Sequence, residues 1–164
     1  KLNRRAMIAL AAAASAAMSP ALAQDAGTAT KTGEGPGDFS LGSPDAPVKI
    51  VEYASYTCPH CANFHAAAFK NLKAEYIDTG KVYFTLREVY FDRYGLWAAM
   101  VARCGGEMRY FGIHDMLFEQ QKEWAASDDP TVVVNNLKAI GLAAGLDQAA
   151  LDACLNDQAK AESM

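Results

Sequence analysis

The stretch VKIVEYASYTCPHC, residues 48–61, joins a β-branched and aromatic run to two cysteines that stand two residues apart. The run 48–53 predicts a β-strand, and its almost continuous apolar character predicts that both faces of the strand are covered. Pro59 fits the first turn of a helix, where its missing N–H would have no partner. Gly80 predicts the end of that helix, and residues 81–86, KVYFTL, predict a second strand. The order strand, cysteine pair, helix, strand predicts a βαβ unit.

The rest of the chain is helical in pattern, apart from a short strand predicted at 38–42. On the helix after the cysteine pair, the predicted inner face comprises Cys61, His65, Ala68, Leu72 and Tyr76. Two later stripes comprise Leu96, Trp97, Met100, Val101 and Cys104, then Tyr110, Ile113, His114, Leu117, Phe118 and Gln121. Asp129 and Pro130 predict the start of another helix. A last helix would carry Leu151, Cys154 and Leu155. Strands mixed with helices place the chain in the α/β class.

The N-terminal 23 residues have the pattern of an export signal. Basic Lys1, Arg4 and Arg5 precede the apolar run 6–18, and the small residues 21–23 follow it. The alternative is a membrane anchor, but the run is shorter than the roughly 18 residues needed to span a bilayer. Removing the signal would move the formal net charge from −4 to about −7, so nucleic acid is not expected as a partner.

Residues 24–37, QDAGTATKTGEGPG, are small, polar and rich in glycine, which predicts a flexible linker. The chain has four cysteines, and all of them follow the predicted export signal. An even number of cysteines in an oxidising compartment favours disulfides.

The cysteine pair could bind a metal, staple a turn or exchange electrons. A structural zinc site usually has four ligands, whereas Cys104 and Cys154 each stand alone in the sequence. His65 could join Cys58 and Cys61, but a single histidine on the apolar face of a helix is more often a packed core residue. We therefore expect neither a metal nor another cofactor.

Electron exchange accounts for more of these residues. A thiol at a helix N-terminus faces unpaired N–H groups and the positive end of the helix dipole, which favour the thiolate of Cys58. Cys61, one turn further along, would attack a mixed disulfide at Cys58 and resolve it. His60 could donate a hydrogen bond or lend positive charge to the thiolate and so favour oxidation of substrates. Otherwise His60 is an exposed loop residue.

Cys58-Pro59-His60-Cys61 after a strand, together with the helical run 110–118, YFGIHDMLF, resembles the DsbA-like thiol oxidases of the bacterial periplasm. The resemblance covers roughly residues 38–160. It implies a thioredoxin-like fold whose first part, 38–92, carries the cysteines and whose inserted α-helical domain is 93–164. It also implies Cys58 as nucleophile, folding exported proteins as substrates, and a membrane partner that reoxidises or reduces the pair.

The resemblance also suggests roles for three further residues. Glu52 stands six residues before Cys58, where the family has a buried acid that helps move the proton of the inner cysteine. The alternative is a partly exposed strand residue. Some DsbA-like proteins carry a second disulfide in the insertion, which implies a structural bridge between Cys104 and Cys154. A second redox role for these cysteines is the alternative, although neither lies in a CxxC motif.

The family pattern continues into a cis-proline, further strands and a final helix, whereas this sequence ends at Met164 and has no proline after Pro130. We therefore expect an incomplete thioredoxin-like fold without the C-terminal strands, and no residue can be assigned to peptide binding. The main hypothesis is a periplasmic oxidase that donates the Cys58–Cys61 disulfide. The alternatives are a disulfide isomerase or reductase, and a non-enzymatic metal-binding or chaperone-like module.

Overall fold

The computed structural model describes residues 37–164. In this part of the chain, a three-stranded sheet is formed by β1 (Phe39–Leu41), β2 (Val48–Ala54) and β3 (Val82–Glu88). Strand β3 lies in the centre, antiparallel to β1 and parallel to β2. The predicted βαβ unit is therefore confirmed. The predicted export signal, 1–23, and the linker up to residue 36 lie outside the described residues.

The connection from β2 to β3 is helical, but the number of residues per helical turn changes along it. It consists of α1 (Pro59–Phe64), a π-helical segment (His65–Phe69), α2 (Lys70–Leu72) and a second π-helical segment (Lys73–Ile77). A π turn contains more residues than an α turn, so each one rotates the following residues around the helix axis. As a result Phe69 and Ile77 are buried, whereas Ala68 and Tyr76 are exposed. The predicted inner face was wrong at Ala68 and Tyr76.

Six further helices follow β3 in the described residues. They are α3 (Arg93–Cys104), α4 (Gly106–Glu119), α5 (Gln121–Trp124), α6 (Pro130–Ala143), α7 (Gln148–Leu155) and α8 (Gln158–Ser163). The α4 stripe is buried as predicted, and Asp129 caps α6 with Pro130 in its first turn. None of the helices in residues 37–164 combines the length and apolar character needed to cross a membrane.

Strands and helices share one hydrophobic core, which includes Phe84 and Leu86 of β3 and Leu117 of α4. Strand β2 contributes to this core from one face only. Ile50 and Ala54 pack toward the core, whereas Val51 and Tyr53 on the opposite face are 45% and 61% exposed. The expectation that β2 is covered on both faces was wrong, because among the described residues the helices cover only one side of this edge strand.

A disulfide joins the end of α3 to α7. The sulfur atoms of Cys104 and Cys154 are bonded, their Cα atoms are 5.9 Å apart, and the two residues are separated by 50 positions. Replacing both with alanine is expected to lower the free energy of unfolding by about 4 kcal/mol, because the unfolded chain regains the entropy of the open loop. Urea unfolding measures this loss. A Cys58→Ala/Cys61→Ala variant is the control, and equal stability of the two variants would contradict the prediction.

Candidate active site

The cysteine pair lies at the start of α1. Cys58 is the N-cap residue, and Pro59 occupies the first turn. The N–H of Cys58 donates to the Ser55 carbonyl at 3.0 Å, and the N–H of Ala62 donates to the Cys58 carbonyl at 3.2 Å. The Cys58 sulfur is therefore attached at the end of the helix where N–H groups lack intrahelical partners. This is the position predicted from the sequence for Cys58 and Pro59.

The two thiols have opposite pKa shifts. Burial alone would raise the pKa of Cys58, but hydrogen bonds from the N–H and thiol of Cys61 and from the N–H of His60 outweigh burial and lower it. Burial and the hydrogen bond to Cys58 raise the pKa of Cys61, and the negative charge of Glu52 raises it further. Cys58 is thereby favoured as the thiolate, and Cys61 as the thiol that donates to it.

His60 contributes to this arrangement through its backbone. Its side chain is exposed, and its imidazole makes no hydrogen bond to any residue in 37–164. The N–H of His60 lies at the helix start and lowers the pKa of Cys58. Stabilisation of the Cys58 thiolate by the imidazole remains a prediction.

The loop before α1 is held by residues that the sequence did not single out. The side-chain amide of Gln121 donates to the carbonyls of Tyr56 at 2.7 Å and Cys58 at 3.0 Å. The hydroxyl of Thr57 donates to Asp92, which also caps α3. The sequence did contain a signal for this role of Gln121, because it is a polar residue at the end of an apolar stripe. These bonds fix the backbone that carries Cys58.

Glu52 projects from β2 toward the same helix. Its side chain is 14% exposed, and its carboxylate accepts a hydrogen bond from Nε2 of His65 at 3.0 Å. His65 is buried, as expected for a packed core residue, and its Nδ1 lies 3.2 Å from Nε2 of His114 in α4. The sequence placed His65 and His114 on separate stripes and did not predict their contact.

The structure suggests a different metal-ligand set from the one considered for Cys58, Cys61 and His65. In the described part of the chain, donor atoms of His65, His114 and Asp115 lie within 4.8 Å of one another. However, the ring nitrogens of His65 and His114 already have partners, which are Glu52, each other and the hydroxyl of Tyr56. A metal would have to displace the bond between the two rings.

Comparisons with known proteins agree with this fold. The family model described as thioredoxin matches residues 34–164. Crystallised alpha-DsbA1 of Wolbachia pipientis is 35% identical, with a TM-score of 0.71 over 77% of this chain and 63% of that chain. The chain belongs to the DsbA-like thioredoxin family. The predicted thioredoxin-like fold with a helical insertion is thus confirmed.

Two further members of the family are informative. A Rickettsia bellii protein, provisionally named protein-disulfide oxidoreductase, is 34% identical over 128 residues, which are 77% of this chain and 48% of that protein. A Novosphingobium aromaticivorans structure described as a protein-disulfide isomerase is 26% identical, with a TM-score of 0.67 over 79% of this chain and 76% of that chain. The chain spans about half the length of the curated relatives it matches.

Proposed function

We propose that the protein is a periplasmic thiol:disulfide oxidoreductase that donates the Cys58–Cys61 disulfide to exported proteins as they fold. A membrane partner would then reoxidise the pair. The observation that carries the proposal is the placement of Cys58 as the N-cap of α1, with Cys61 one turn further along the same helix. The opposite directions of the two pKa shifts agree with this placement. The export-signal pattern of residues 1–23 and the protein-disulfide oxidoreductases among the relatives support it.

In the proposed reaction, a substrate thiolate attacks the Cys58 sulfur and breaks the Cys58–Cys61 bond. Cys61 leaves as a thiolate and, because its pKa is raised, takes up a proton. A second substrate thiolate then attacks the substrate sulfur of the mixed disulfide, and Cys58 leaves. Its lowered pKa makes Cys58 the better leaving group, so the substrate keeps the new disulfide.

The pKa shift of Cys58 also determines how the redox balance depends on pH. A lowered pKa in the folded, reduced protein stabilises that form fully above the ordinary thiol pKa. The stabilisation is lost as the pH falls through the lowered pKa of Cys58. Above its lowered pKa the Cys58 thiolate therefore favours the reduced form, and the disulfide is correspondingly oxidising.

Thiolate absorbance followed against pH tests the proposal. In a Cys61→Ser background, Cys58 is expected to titrate below the ordinary thiol value of about 8.5 because N–H groups at the helix start stabilise its thiolate. His60→Ala is expected to move the midpoint upward if the imidazole assists the backbone. Titration of Cys58 at the ordinary value would contradict the mechanism, and an unchanged midpoint in His60→Ala would rule out the imidazole's role.

A disulfide isomerase or reductase is the second candidate, favoured by the isomerase description of the Novosphingobium aromaticivorans relative. The chemistry of the pair is the same, but the direction of exchange depends on its redox potential. Equilibration with glutathione separates the candidates: an oxidase is reduced even by mildly reducing mixtures, whereas a reductase stays oxidised in them.

A further inference from the structure

Behind the cysteine pair, six polar side chains are arranged in one series. In order, they are Glu52, His65, His114, Tyr56, Tyr110 and Glu88. The carboxylate of Glu52 lies 3.0 Å from His65, and His65 lies 3.2 Å from His114. His114 lies 3.0 Å from the Tyr56 hydroxyl. The series connects the carboxylate that acts on Cys61 to the interior of the helical region.

The middle of this series is inaccessible to water. The exposed fractions of His65, His114 and Tyr56 are 5%, 0% and 1%. A buried polar group without a hydrogen-bond partner destabilises the fold, and here every ring nitrogen of both histidines has one. Packing alone does not require two histidines here, since neighbouring positions in the core are occupied by Phe69 and Phe118.

When Glu52 is ionised, the hydrogen bonds from Tyr56 to Glu52 have one consistent direction. Burial raises the pKa of Tyr56, so its hydroxyl keeps its single proton. We assign this proton to Nδ1 of His114 at 3.0 Å rather than to the Tyr110 hydroxyl, which is farther away at 3.5 Å. Burial and the neighbouring His65 lower the pKa of His114, so its single proton is on Nε2 and donates to His65. His65 then donates from Nε2 to Glu52. These three bonds direct their protons toward the Glu52 carboxylate, whereas the Tyr110 hydroxyl donates to Glu88 at the other end of the series.

We propose that the series Tyr56–His114–His65 positions the Glu52 carboxylate, so that Glu52 can accept the Cys61 proton when a mixed disulfide is resolved. His65 and His114 are positioning residues in this scheme, because they act through Glu52 and touch no reacting sulfur. The inference rests on the proposed function. The resemblance to the family already implies that Glu52 acts on the proton of Cys61, and the inference adds the residues that hold Glu52 in place.

The step balances without another reagent. A disulfide partner first forms a mixed disulfide with Cys58. The Cys61 thiol then gives its proton to Glu52, and its thiolate attacks the Cys58 sulfur. The Cys58–Cys61 bond forms, the bond from Cys58 to the partner breaks, and the partner leaves as a thiolate. The two cysteines are oxidised, and the partner is reduced.

Other titratable and charged groups surround the series. They are Cys58, Cys61, Lys70, Lys73, Tyr90, Arg103, Asp115 and Glu119. A carboxylate oxygen of Asp115 lies within 4.8 Å of a ring nitrogen of each histidine, and burial raises the pKa of Asp115. Because Asp115 makes no hydrogen bond to either ring among residues 37–164, Asp115→Asn tests whether nearby charge alone produces the effect.

The test follows resolution of a mixed disulfide with glutathione. Reduced protein is mixed with oxidised glutathione, quenched with acid at intervals, and separated into reduced, glutathionylated and Cys58–Cys61-oxidised species. In His65→Leu, resolution at neutral pH is expected to slow about tenfold, below the roughly 10²-fold effect of a complete general base. The pH at which the rate of resolution reaches half its maximum is expected to rise in His65→Leu, because a partly buried carboxylate that has lost its hydrogen-bond donor holds a proton more tightly. His65→Gln, which restores an N–H donor, is expected to recover part of the rate.

Matched variants separate proton transfer from packing. Phe118→Leu disturbs the packing of His65, His114 and Tyr56 but removes no hydrogen bond, so its pH midpoint is expected to stay at the wild-type value. Tyr56→Phe removes one hydroxyl and is expected to move the midpoint in the same direction as His65→Leu, even if the histidine variants fold poorly. Thiolate titration of Cys58 should be unchanged in Tyr56→Phe.

The outcomes are distinct. Wild-type resolution profiles in Tyr56→Phe and in folded His65→Leu would overturn the inference, as would an equal shift in Asp115→Asn or Phe118→Leu. Failure of the wild-type protein to form either an adduct at Cys58 or the Cys58–Cys61 disulfide would overturn the proposed function and the inference with it. Slower resolution at a shifted midpoint, with normal formation of the adduct, supports the inference.

Discussion

Cys61→Ser is expected to abolish turnover and to leave Cys58 joined to its partner as a stable mixed disulfide. Cys58 retains the helix-start N–H groups that lower its pKa, although it loses the hydrogen bond from the Cys61 thiol. It therefore still attacks a disulfide. Serine offers no thiolate for the second attack, so the intermediate has no route to the Cys58–Cys61 bond. Mass spectrometry after incubation with oxidised glutathione measures the accumulated adduct.

Two variants control this experiment. Cys58→Ser is expected to form no adduct at Cys61, because Cys61 keeps its proton at neutral pH and lacks the position at the helix start. A Cys104→Ser/Cys154→Ser variant removes the two cysteines of the disulfide between α3 and α7 and is expected to keep turnover. Resolution by Cys61→Ser at the wild-type rate, or an adduct on Cys61 in Cys58→Ser, would contradict the assigned order of the two sulfurs.

The geometry of the cysteine pair could be predicted because it depends on adjacent residues. A strand, a proline in the first helical turn and the pattern CPHC place Cys58 at a helix start, and they do so within fourteen residues of sequence. The surface of β2 could not be predicted this way. Its apolar residues do not reveal that the helices of the described residues cover only one face of the strand.

The support of the site could not be predicted for a different reason. His65 and His114 are 49 positions apart, and Gln121 is 63 positions from the Cys58 carbonyl to which it donates. Both contacts depend on how α4 and α5 pack against the helix that carries Cys61. The π-helical segments add to the difficulty, because they alter the spacing from which inner faces are predicted. The sequence pattern located the reacting sulfurs, whereas tertiary packing supplied the hydrogen bonds to the Cys58 carbonyl and between the two histidines.

Glu88→Leu is expected to give the largest loss of stability, about 3–5 kcal/mol, because it leaves a buried charge unpaired. The side chains of Glu88 and Arg103 are 1% and 7% exposed and form an ion pair at the end of the series. Burial would lower the pKa of Arg103, but the hydrogen bond and charge of Glu88 outweigh burial and raise it. The Tyr110 hydroxyl, which donates to Glu88 at 2.6 Å, would also lose its acceptor.

A double-mutant cycle measured by urea unfolding tests this expectation. Arg103→Leu together with Glu88→Leu is expected to be more stable than Glu88→Leu alone, because the double variant contains no unpaired buried charge. Glu88→Gln keeps an oxygen acceptor for Tyr110, so the difference from Glu88→Leu isolates that hydrogen bond. Equal stability of the single and double leucine variants would mean that the guanidinium reaches water in the variant, and would contradict its burial in α3. If the double leucine variant is more stable than Glu88→Leu, the ion pair between Glu88 and Arg103 holds the far end of the polar series in place. It then stabilises the fold independently of the cysteines.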